Sequence, residues 1–584
     1  MNIRRRGLRR RRQVRALAAL AAGMLVAAAC SGDGGGDAEA DDEAASGDDS
    51  ATQTTDVLDN PRWAKVVSGP EASDEEPARG GSIVVALEAE TNSYLPSAMI
   101  TTGSNVPFAI FDPLVTRDAN GKIRPYLAES IEPNDDFTEW TLRLRSGVRF
   151  HDGTPLNAQA LKRNWDDYLL AEGAITSDAS RFVERVDIVD ELTVTYVMTQ
   201  SHSAFPDLLE TQLGWPFSPD AADQLGEEFG ERPVGTGPFK FVSWQRDSEL
   251  MVERNEDYWQ EGQPYLDQVT FRVVPDEATR AASLASGDVD AVMSGSLSDF
   301  AGDIADIDGV QVVLGPGNRG GGILFNTAKP PTDDLRVRQA LAHAVDQSAL
   351  IQVAVGEAAE LTEARTQFFP ADSEYYSDAV AEASLDHDPE RAQELYDEYV
   401  SDPERSDGKD VGEPVSLAIT TTNTPSGNEL ADAYAGFYET IGFDVDVQPV
   451  EQAQRNLDAV TGDYQALLFT MGRDSSPLGE FLFYFDDPEE LITNFSNFHD
   501  DTVATVLERL RRTGDIDEQK ALAEEIGIHL AEQVPWQWSA SELSLIAARD
   551  SVKGLRSWTF PDGTLGDGVT PGDTFWGQAW LDDN

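Results

Sequence analysis

Hydrophobic and polar positions after residue 80 alternate between the period of a strand and the period of a helix. Residues 82–88 form a short apolar run typical of a buried strand, and residues 140–145 alternate as a half-buried strand does. Ala158–Leu170 and Ile516–Gln533 carry apolar residues at helical spacing. Because strands and helices are interleaved along the chain, the pattern predicts an α/β fold with several mixed sheets.

The same two periods predict further elements in both halves of the chain. They are, in chain order, a strand pair at 238–244 and 249–254, a strand at 269–275, helices at 276–287 and 335–345, a helix that Gly442 ends, strands at 443–450 and 464–470, and an extended stretch at 536–546. Asp333 or Asp334 is expected to cap the helix that begins at Leu335.

The N-terminus carries the pattern of an export signal. Eight arginines stand within the first fifteen residues, and the fourteen residues 16–29 that follow are uncharged. This stretch is too short to span a bilayer but has the length of a signal-peptide core. It ends at Cys30, the only cysteine, and it resembles the lipobox of bacterial lipoproteins, although Ala27 stands where leucine is usual. The resemblance implies that Cys30 carries a lipid; general and twin-arginine export both remain open.

Composition separates a tether from a globular body. Residues 31–60 contain ten acidic residues and no lysine or arginine, with Gly, Ser, Ala and Thr filling most of the rest. Such a segment cannot bury apolar area, so residues 30–79 are predicted to be a disordered tether. No later run reaches the roughly eighteen apolar residues that a membrane span requires.

Charge and residue usage exclude several classes of function. The chain has 105 acidic and 44 basic residues, a formal charge of −61, which repels phosphate backbones and argues against nucleic-acid binding. A single cysteine excludes internal disulfides and cysteine zinc sites, and the six histidines show no metal-ligand spacing. No Gly-x-Ser-x-Gly elbow is present. We therefore expect no enzyme activity, no metal and no cofactor.

Four segments carry a family resemblance. They are 142–156 (LRLRSGVRFHDGTPL), 234–240 (VGTGPFK) with 254–259, 325–327 with 330–331 and 337–341, and 532–535 (EQVP). In order and spacing they resemble the peptide/nickel-type solute-binding proteins of ABC importers, often called family 5, over about residues 80–560. From the residues themselves, 151–153 is expected to be a turn and 235–238 a tight backbone passage into a strand.

The resemblance implies an α/β, two-lobed periplasmic-binding-protein-like fold with a hinge and an extra domain inserted in the first half. Lobe one is expected at 80–115, 230–315 and 530–584, the inserted domain at 116–229 and lobe two at 316–529. In this family a ligand closes the lobes over itself.

The resemblance also implies a ligand-binding residue. Peptide-binding members hold the ligand's amino terminus with an acidic residue after a strand, and Asp474 stands at that position. Met471 stands where the family often has a tryptophan that stacks on the ligand, which indicates a remodelled pocket. Arg473 either pairs with Asp474 or holds an anionic group. Further ligand-binding candidates near strand ends are Tyr94, Asn326, Thr422, Trp536 and Trp538.

The function implied is that of a lipid-anchored, extracytoplasmic solute-binding protein. It would capture a peptide or similar small molecule as a monomer and deliver it to the transmembrane subunits of an ABC permease. Oligosaccharides, opine-like amines and metal chelates remain open as ligands. A receptor or chaperone use of the same fold and an exported hydrolase are the competing classes.

Overall fold

A computed structural model describes residues 65–99, 106–170, 180–294, 304–315, 319–472, 476–487, 493–543, 545–568 and 574–582. Within these ranges the strands are β1 (Val66–Ser68), β2 (Ser82–Leu87), β3 (Val115–Arg117), β4 (Ile123–Pro125), β5 (Ala128–Pro133), β6 (Glu139–Leu144), β7 (Val183–Ile188), β8 (Thr193–Met198), β9 (Phe239–Gln245), β10 (Glu249–Arg254), β11 (Gln268–Val273), β12 (Ala291–Ser294), β13 (Val310–Leu314), β14 (Arg319–Phe325), β15 (Ser416–Thr422), β16 (Asp444–Val450), β17 (Ala466–Met471), β18 (Trp536–Glu542), β19 (Leu545–Arg549), β20 (Val552–Lys553) and β21 (Trp580–Leu581).

The α-helices of the same ranges are α1 (Pro107–Ile110), α2 (Ala158–Leu170), α3 (Phe205–Leu209), α4 (Pro219–Leu225), α5 (Glu277–Ser286), α6 (Leu335–Ala344), α7 (Gln347–Val355), α8 (Asp378–Ala383), α9 (Pro389–Val400), α10 (Pro425–Thr440), α11 (Gln452–Thr461), α12 (Pro477–Phe485), α13 (Asp501–Leu510) and α14 (Ile516–Gln533). Short 3₁₀ turns lie at Gln212–Gly214, Gly226–Glu231, Gly356–Leu361 and Trp576–Gln578. None of the described helices is both long enough and apolar enough to cross a membrane.

Three main sheets organise these strands. An eight-stranded sheet has the order β1-β13-β19-β12-β2-β11-β10-β9, and a five-stranded sheet has the order β16-β15-β17-β14-β18. A four-stranded antiparallel sheet, β5-β6-β8-β7, lies between β2 and β9 in sequence and forms the core of the insertion. The first two sheets mix parallel and antiparallel pairs, as expected for α/β lobes.

Helices cover both faces of the five-stranded sheet. Alternate residues of β14 and β17 point to opposite faces, so Ile323 and Leu468 join one apolar cluster while Leu324 and Leu467 join the other. Helices α6, α9 and α10 pack on the first face, and α12, α13 and α14 pack on the second. Burial on both faces makes this sheet the centre of an apolar core.

Many sequence-based expectations are confirmed. The α2 and α14 helices have the predicted bounds, and Asp334 caps α6 by accepting a hydrogen bond from the Arg336 amide at 2.9 Å. The passage at 235–238 is as tight as predicted, because a Cβ on Gly235 would lie 2.2 Å from the Ile110 carbonyl oxygen. The 151–153 turn is also present, with Gly153 at φ 86°.

Two expectations need correction. Residues 66–68 fall in the predicted tether, yet they form β1, which pairs in parallel with β13 of the eight-stranded sheet. Val66 is buried there, although the acidic composition of the surrounding sequence gives no indication of a buried apolar residue. The stretch 536–546, expected as one extended segment of lobe one, is divided between β18 in the five-stranded sheet and β19 in the eight-stranded sheet. The chain therefore returns from lobe two to lobe one after residue 542.

Candidate functional site

The chain passes between the lobes twice, after β13 and after β18, and these two connections are the crossings. One edge of the five-stranded sheet, formed by strand ends, faces them. There Arg319 at the start of β14 stands opposite Glu542 at the end of β18. Gly320 pairs with Met471, the last residue of β17. Because β15 runs parallel to β17, its final residue Thr422 lies at the same edge. Carboxyl ends of strands at such an edge are the usual place for ligand-binding groups.

Met471 and Thr422 both lie at this edge. Met471 is buried, and Gly472 follows it with φ 97°, its amide donating to the Tyr484 hydroxyl at 3.3 Å. Thr422 is half-buried. Arg473 and Asp474, the next residues of the chain, lie outside the described residues, as does Cys30.

Trp536 and Trp538 lie on one face of β18, as their alternate positions predict. Their ring centroids are 5.2 Å apart. The rings cover two glycines of β14: a Cβ on Gly320 would lie 2.5 Å from the Trp538 ring, and a Cβ on Gly322 would lie 3.0 Å from Trp536 Nε1. Glycine at these positions thus leaves room for the two indoles beside β14.

The two tryptophans also line a cavity of about 250 Å³. Other walls come from Phe368, Phe481 and Phe485, and the Arg365 guanidinium lies 5.5 Å from the Trp538 ring centroid. Every lining residue lies between 342 and 538, in or against the five-stranded sheet. The described residues that line the cavity thus all belong to the part of the chain between the two crossings.

Asn326 lies away from the crossings, contrary to the expectation that it ends a strand at the cleft. It follows Phe325, which pairs with Ala466 at the start of β17, so it stands at the opposite edge of the sheet. Its side-chain amide donates to the carbonyls of Gly462 at 3.0 Å and Tyr464 at 3.1 Å, and only 1% of the residue is exposed. These bonds give Asn326 a structural role within lobe two.

Tyr94 is part of the core of lobe one. It is 1% exposed, its ring meets Trp244 edge-on at 4.7 Å, and its amide donates to the Gly230 carbonyl at 2.8 Å. Burial raises the pKa of its hydroxyl above the ordinary value. The structure thus places Tyr94, in the segment that follows β2, in packing against Trp244.

Sequence reasoning missed a polar contact beside the end of β17. Ser476 caps α12, and its amide and hydroxyl both donate to the carboxylate of Asp207, which belongs to the insertion. The dipeptide Ser476-Pro477 is a recognisable helix start, since serine caps well and proline suits the first turn. Nothing in the sequence identifies Asp207 as its partner.

Comparison with known proteins now adds to this geometry. The family model described as bacterial extracellular solute-binding proteins, family 5 Middle, matches residues 122–490. Curated relatives include the glutathione-binding protein GsiB of Pectobacterium atrosepticum, 34% identical over 238 residues that cover 41% of this chain and 46% of the relative. GsiB of Salmonella typhi is 31% identical over 274 residues, 47% of this chain and 53% of the relative. The chain thus spans about half the length of the curated relatives it matches.

Solved structures agree with the architecture over most of the chain. The binding protein AgaA from A. tumefaciens R10, in complex with agropinic acid, superposes with a TM-score of 0.75 and 26% identity, covering 86% of this chain and 99% of AgaA. DppA from Helicobacter pylori, in complex with the peptide STSA, gives a TM-score of 0.73 at 22% identity, covering 87% and 99%. Both are periplasmic binding proteins, which confirms the predicted two-lobed fold.

Proposed function

The chain belongs to family 5 of the bacterial extracellular solute-binding proteins, and we propose that it captures a small peptide between its two lobes and delivers it to an ABC permease. It would act outside the cytoplasm as a monomer, held at the membrane by a lipid on Cys30. The proposed lobes are those predicted from sequence, except that β18 belongs to the sheet of lobe two.

One observation supports this function most directly. The eight-stranded and five-stranded sheets are joined by two crossings, and the carboxyl ends of β15 and β17 meet at the edge where the chain crosses. Two lobes connected by a pair of short segments can rotate about them and enclose a solute. A group just beyond β17 is therefore well placed to reach a molecule held between the lobes.

Asp474 is the proposed partner of the ligand's ammonium group. It follows β17 by three residues, and loop residues on a rigid scaffold commonly carry binding groups. A carboxylate opposite an ammonium forms a charge-assisted contact. Arg473 would pair with Asp474 or hold an anionic group of the ligand, and Met471 in place of an aromatic residue would give a pocket without ring stacking.

A peptide is the ligand class that the curated relatives favour. The GsiB proteins, which bind glutathione by name, are the 31–34% identical relatives described above. Glutathione is a small peptide with a free ammonium group, which fits an acid at position 474. Calorimetry with glutathione and with simple dipeptides, together with mass spectrometry of molecules that co-purify, tests this directly.

The decisive variant is Asp474→Asn, which keeps the shape and removes the charge. Losing one member of a buried charge pair costs roughly 2–5 kcal/mol, so the affinity should fall by about 30-fold or more. Asp432→Asn, at an exposed position of α10, is the matched control and should leave affinity unchanged. Equal affinities of wild type and Asp474→Asn would mean that Asp474 is an ordinary surface acid, and they would favour a neutral ligand.

An opine-like ligand is the second candidate. AgaA, in complex with agropinic acid, is 26% identical to this chain over 86% of its length. Calorimetry with agropinic acid in place of glutathione separates the two. Tighter binding of agropinic acid would assign the chain to opine-like solutes, and binding of glutathione alone would assign it to peptides.

The lipid anchor and the absence of catalysis are tested separately. Cys30→Ala should release the protein from the membrane fraction; a variant as firmly bound as wild type would contradict the anchor. Purified protein incubated with glutathione or a dipeptide should return it unchanged, because members of the family bind solutes. Turnover would overturn the proposal in favour of an exported hydrolase.

A further inference from the structure

A buried acid of the insertion reaches across to lobe two. Asp207 lies on α3 and is 4% exposed. Its Oδ2 accepts a hydrogen bond from the Ser476 amide at 3.3 Å and a second from the Ser476 hydroxyl. Ser476 caps α12, so a carboxylate of one part of the molecule is bonded to the start of a helix in the other.

Arg117 holds Asp207 in place from its own side. The Arg117 Nη2 lies 3.5 Å from Asp207 Oδ1, and its Nε lies 2.7 Å from Glu210 Oε1. The guanidinium thus engages the carboxylate oxygen that Ser476 does not use. Because the arginine and both acids belong to the insertion, the Asp207 carboxylate is oriented before it meets lobe two.

Other polar contacts join the same two parts. The Ser203 amide donates to the Arg511 carbonyl at 3.1 Å, and the Ser203 hydroxyl donates to the Leu510 carbonyl at 2.8 Å. Asp486 of lobe two lies between Arg181 of the insertion at 3.7 Å and Arg511 at 3.1 Å. The Asp207–Ser476 contact is the part of this interface closest in sequence to the end of β17.

We propose that Asp207 is a positioning residue for ligand binding, which fixes the start of α12 against the insertion when the lobes are together. This inference rests on the proposed function, in which the lobes enclose a solute beside β17. Moving the insertion away from lobe two must break both hydrogen bonds to the buried carboxylate, and a polar group left buried without them is costly. Asp207 should therefore slow ligand release.

Asp207→Asn tests the proposal through kinetics. The amide cannot satisfy both Arg117 and the two Ser476 donors, so the dissociation rate of bound glutathione should rise by about tenfold, as expected for the loss of a hydrogen bond to a charged group. Asp207→Ala should raise it at least as much. The matched control is Asp152→Asn, because Asp152 accepts the hydroxyl of a capping serine, Ser218, inside the insertion. The control should leave the dissociation rate unchanged.

The distance between the lobes gives a second measurement that needs no ligand. Full-length protein with Cys30→Ser and fluorophores on cysteines introduced at the exposed positions Asp187 and Asp432 reports this distance by single-molecule energy transfer. Asp207→Asn should shift molecules toward the longer distance, both alone and with glutathione, while Asp152→Asn should not. Unchanged distances and unchanged dissociation in Asp207→Asn would overturn the proposal.

The two levels of inference can fail separately. A distance shift in Asp207→Asn with unaltered affinity in Asp474→Asn would support the contact and contradict the proposed ligand partner. Normal distances in Asp207→Asn with weakened binding in Asp474→Asn would contradict the contact and support the proposed function.

Discussion

Two helices of this protein begin with the same dipeptide, Ser-Pro, and the two serine side chains make the same two kinds of hydrogen bond, yet these bonds join different parts of the molecule. Ser218 caps α4, its Oγ accepting from the Ala221 amide at 3.1 Å and its hydroxyl donating to Asp152 at 2.5 Å. Ser476 caps α12, its Oγ accepting from the Gly479 amide at 3.2 Å and its hydroxyl donating to Asp207. Proline follows each serine.

The difference between the two lies in where the carboxylate comes from. Asp152 stands on a turn of the insertion, and α4 belongs to the insertion as well. Partial burial opposes ionisation of Asp152, but hydrogen bonds from Ser218 and Thr154 hold its pKa below the ordinary value. Asp207 stands on the insertion and its serine partner on lobe two. The same local chemistry therefore tightens one domain in the first case and joins two bodies in the second.

The largest effect is expected at Asp112, a buried acid whose two side-chain hydrogen-bond donors both belong to lobe one. Asp112 is 2% exposed and accepts from the Tyr258 hydroxyl at 3.0 Å and from Trp259 Nε1 at 2.7 Å. Asp112→Ala removes the acceptor of both the Tyr258 hydroxyl and the Trp259 Nε1–H, so the free energy of unfolding should fall by about 3 kcal/mol. Urea unfolding measures this. A loss below that of Asp207→Ala would show that contacts within a lobe do not dominate stability.

The pH dependence of stability should also report on Asp112. Burial raises the pKa of Asp112 to about 7, against hydrogen bonds from Trp259 and Tyr258 that favour the charged form. A raised folded-state pKa means that this group's contribution to stability is complete below pH 3.8 and is lost as the pH rises toward 7. Wild type should therefore lose more unfolding free energy over this interval than Asp112→Asn does. Parallel pH profiles for the two proteins would count against a raised pKa.

The smallest effect on stability is expected at the two capping serines, Ser218 and Ser476. Ser218→Ala and Ser476→Ala each remove a helix cap and should each cost about 1 kcal/mol in the free energy of unfolding. Only Ser476→Ala should also speed the release of glutathione, since only that hydroxyl bonds across the lobes. Stopped-flow release from both variants checks this. Equal rates of glutathione release from Ser218→Ala and Ser476→Ala would mean that Ser476 acts only as a helix cap.

Much of the fold was predictable because local chemistry sets it. The bounds of α2 and α14 follow from helical spacing of apolar residues, and the cap at Asp334 follows from a side chain that bonds its own helix. β1 escaped prediction because its three residues are stabilised by pairing with β13, more than two hundred residues away. Of the candidate site, Met471 and Thr422 lie where their strands end beside the crossings, whereas Asn326 lies at the opposite edge, because strand direction in the sheet is not a local property.

The sequence by itself determined the class of fold, the family and the start of α6 at an aspartate cap, since periodicity, motif order and capping act over a few residues. Only the tertiary structure decided which carboxylate each serine meets. Asp152 and Ser218 are 66 residues apart, and Asp207 and Ser476 are 269 apart. Such distant pairs depend on how the sheets and lobes assemble. This assembly makes one of the two serine caps, Ser476, a contact between lobe two and the insertion.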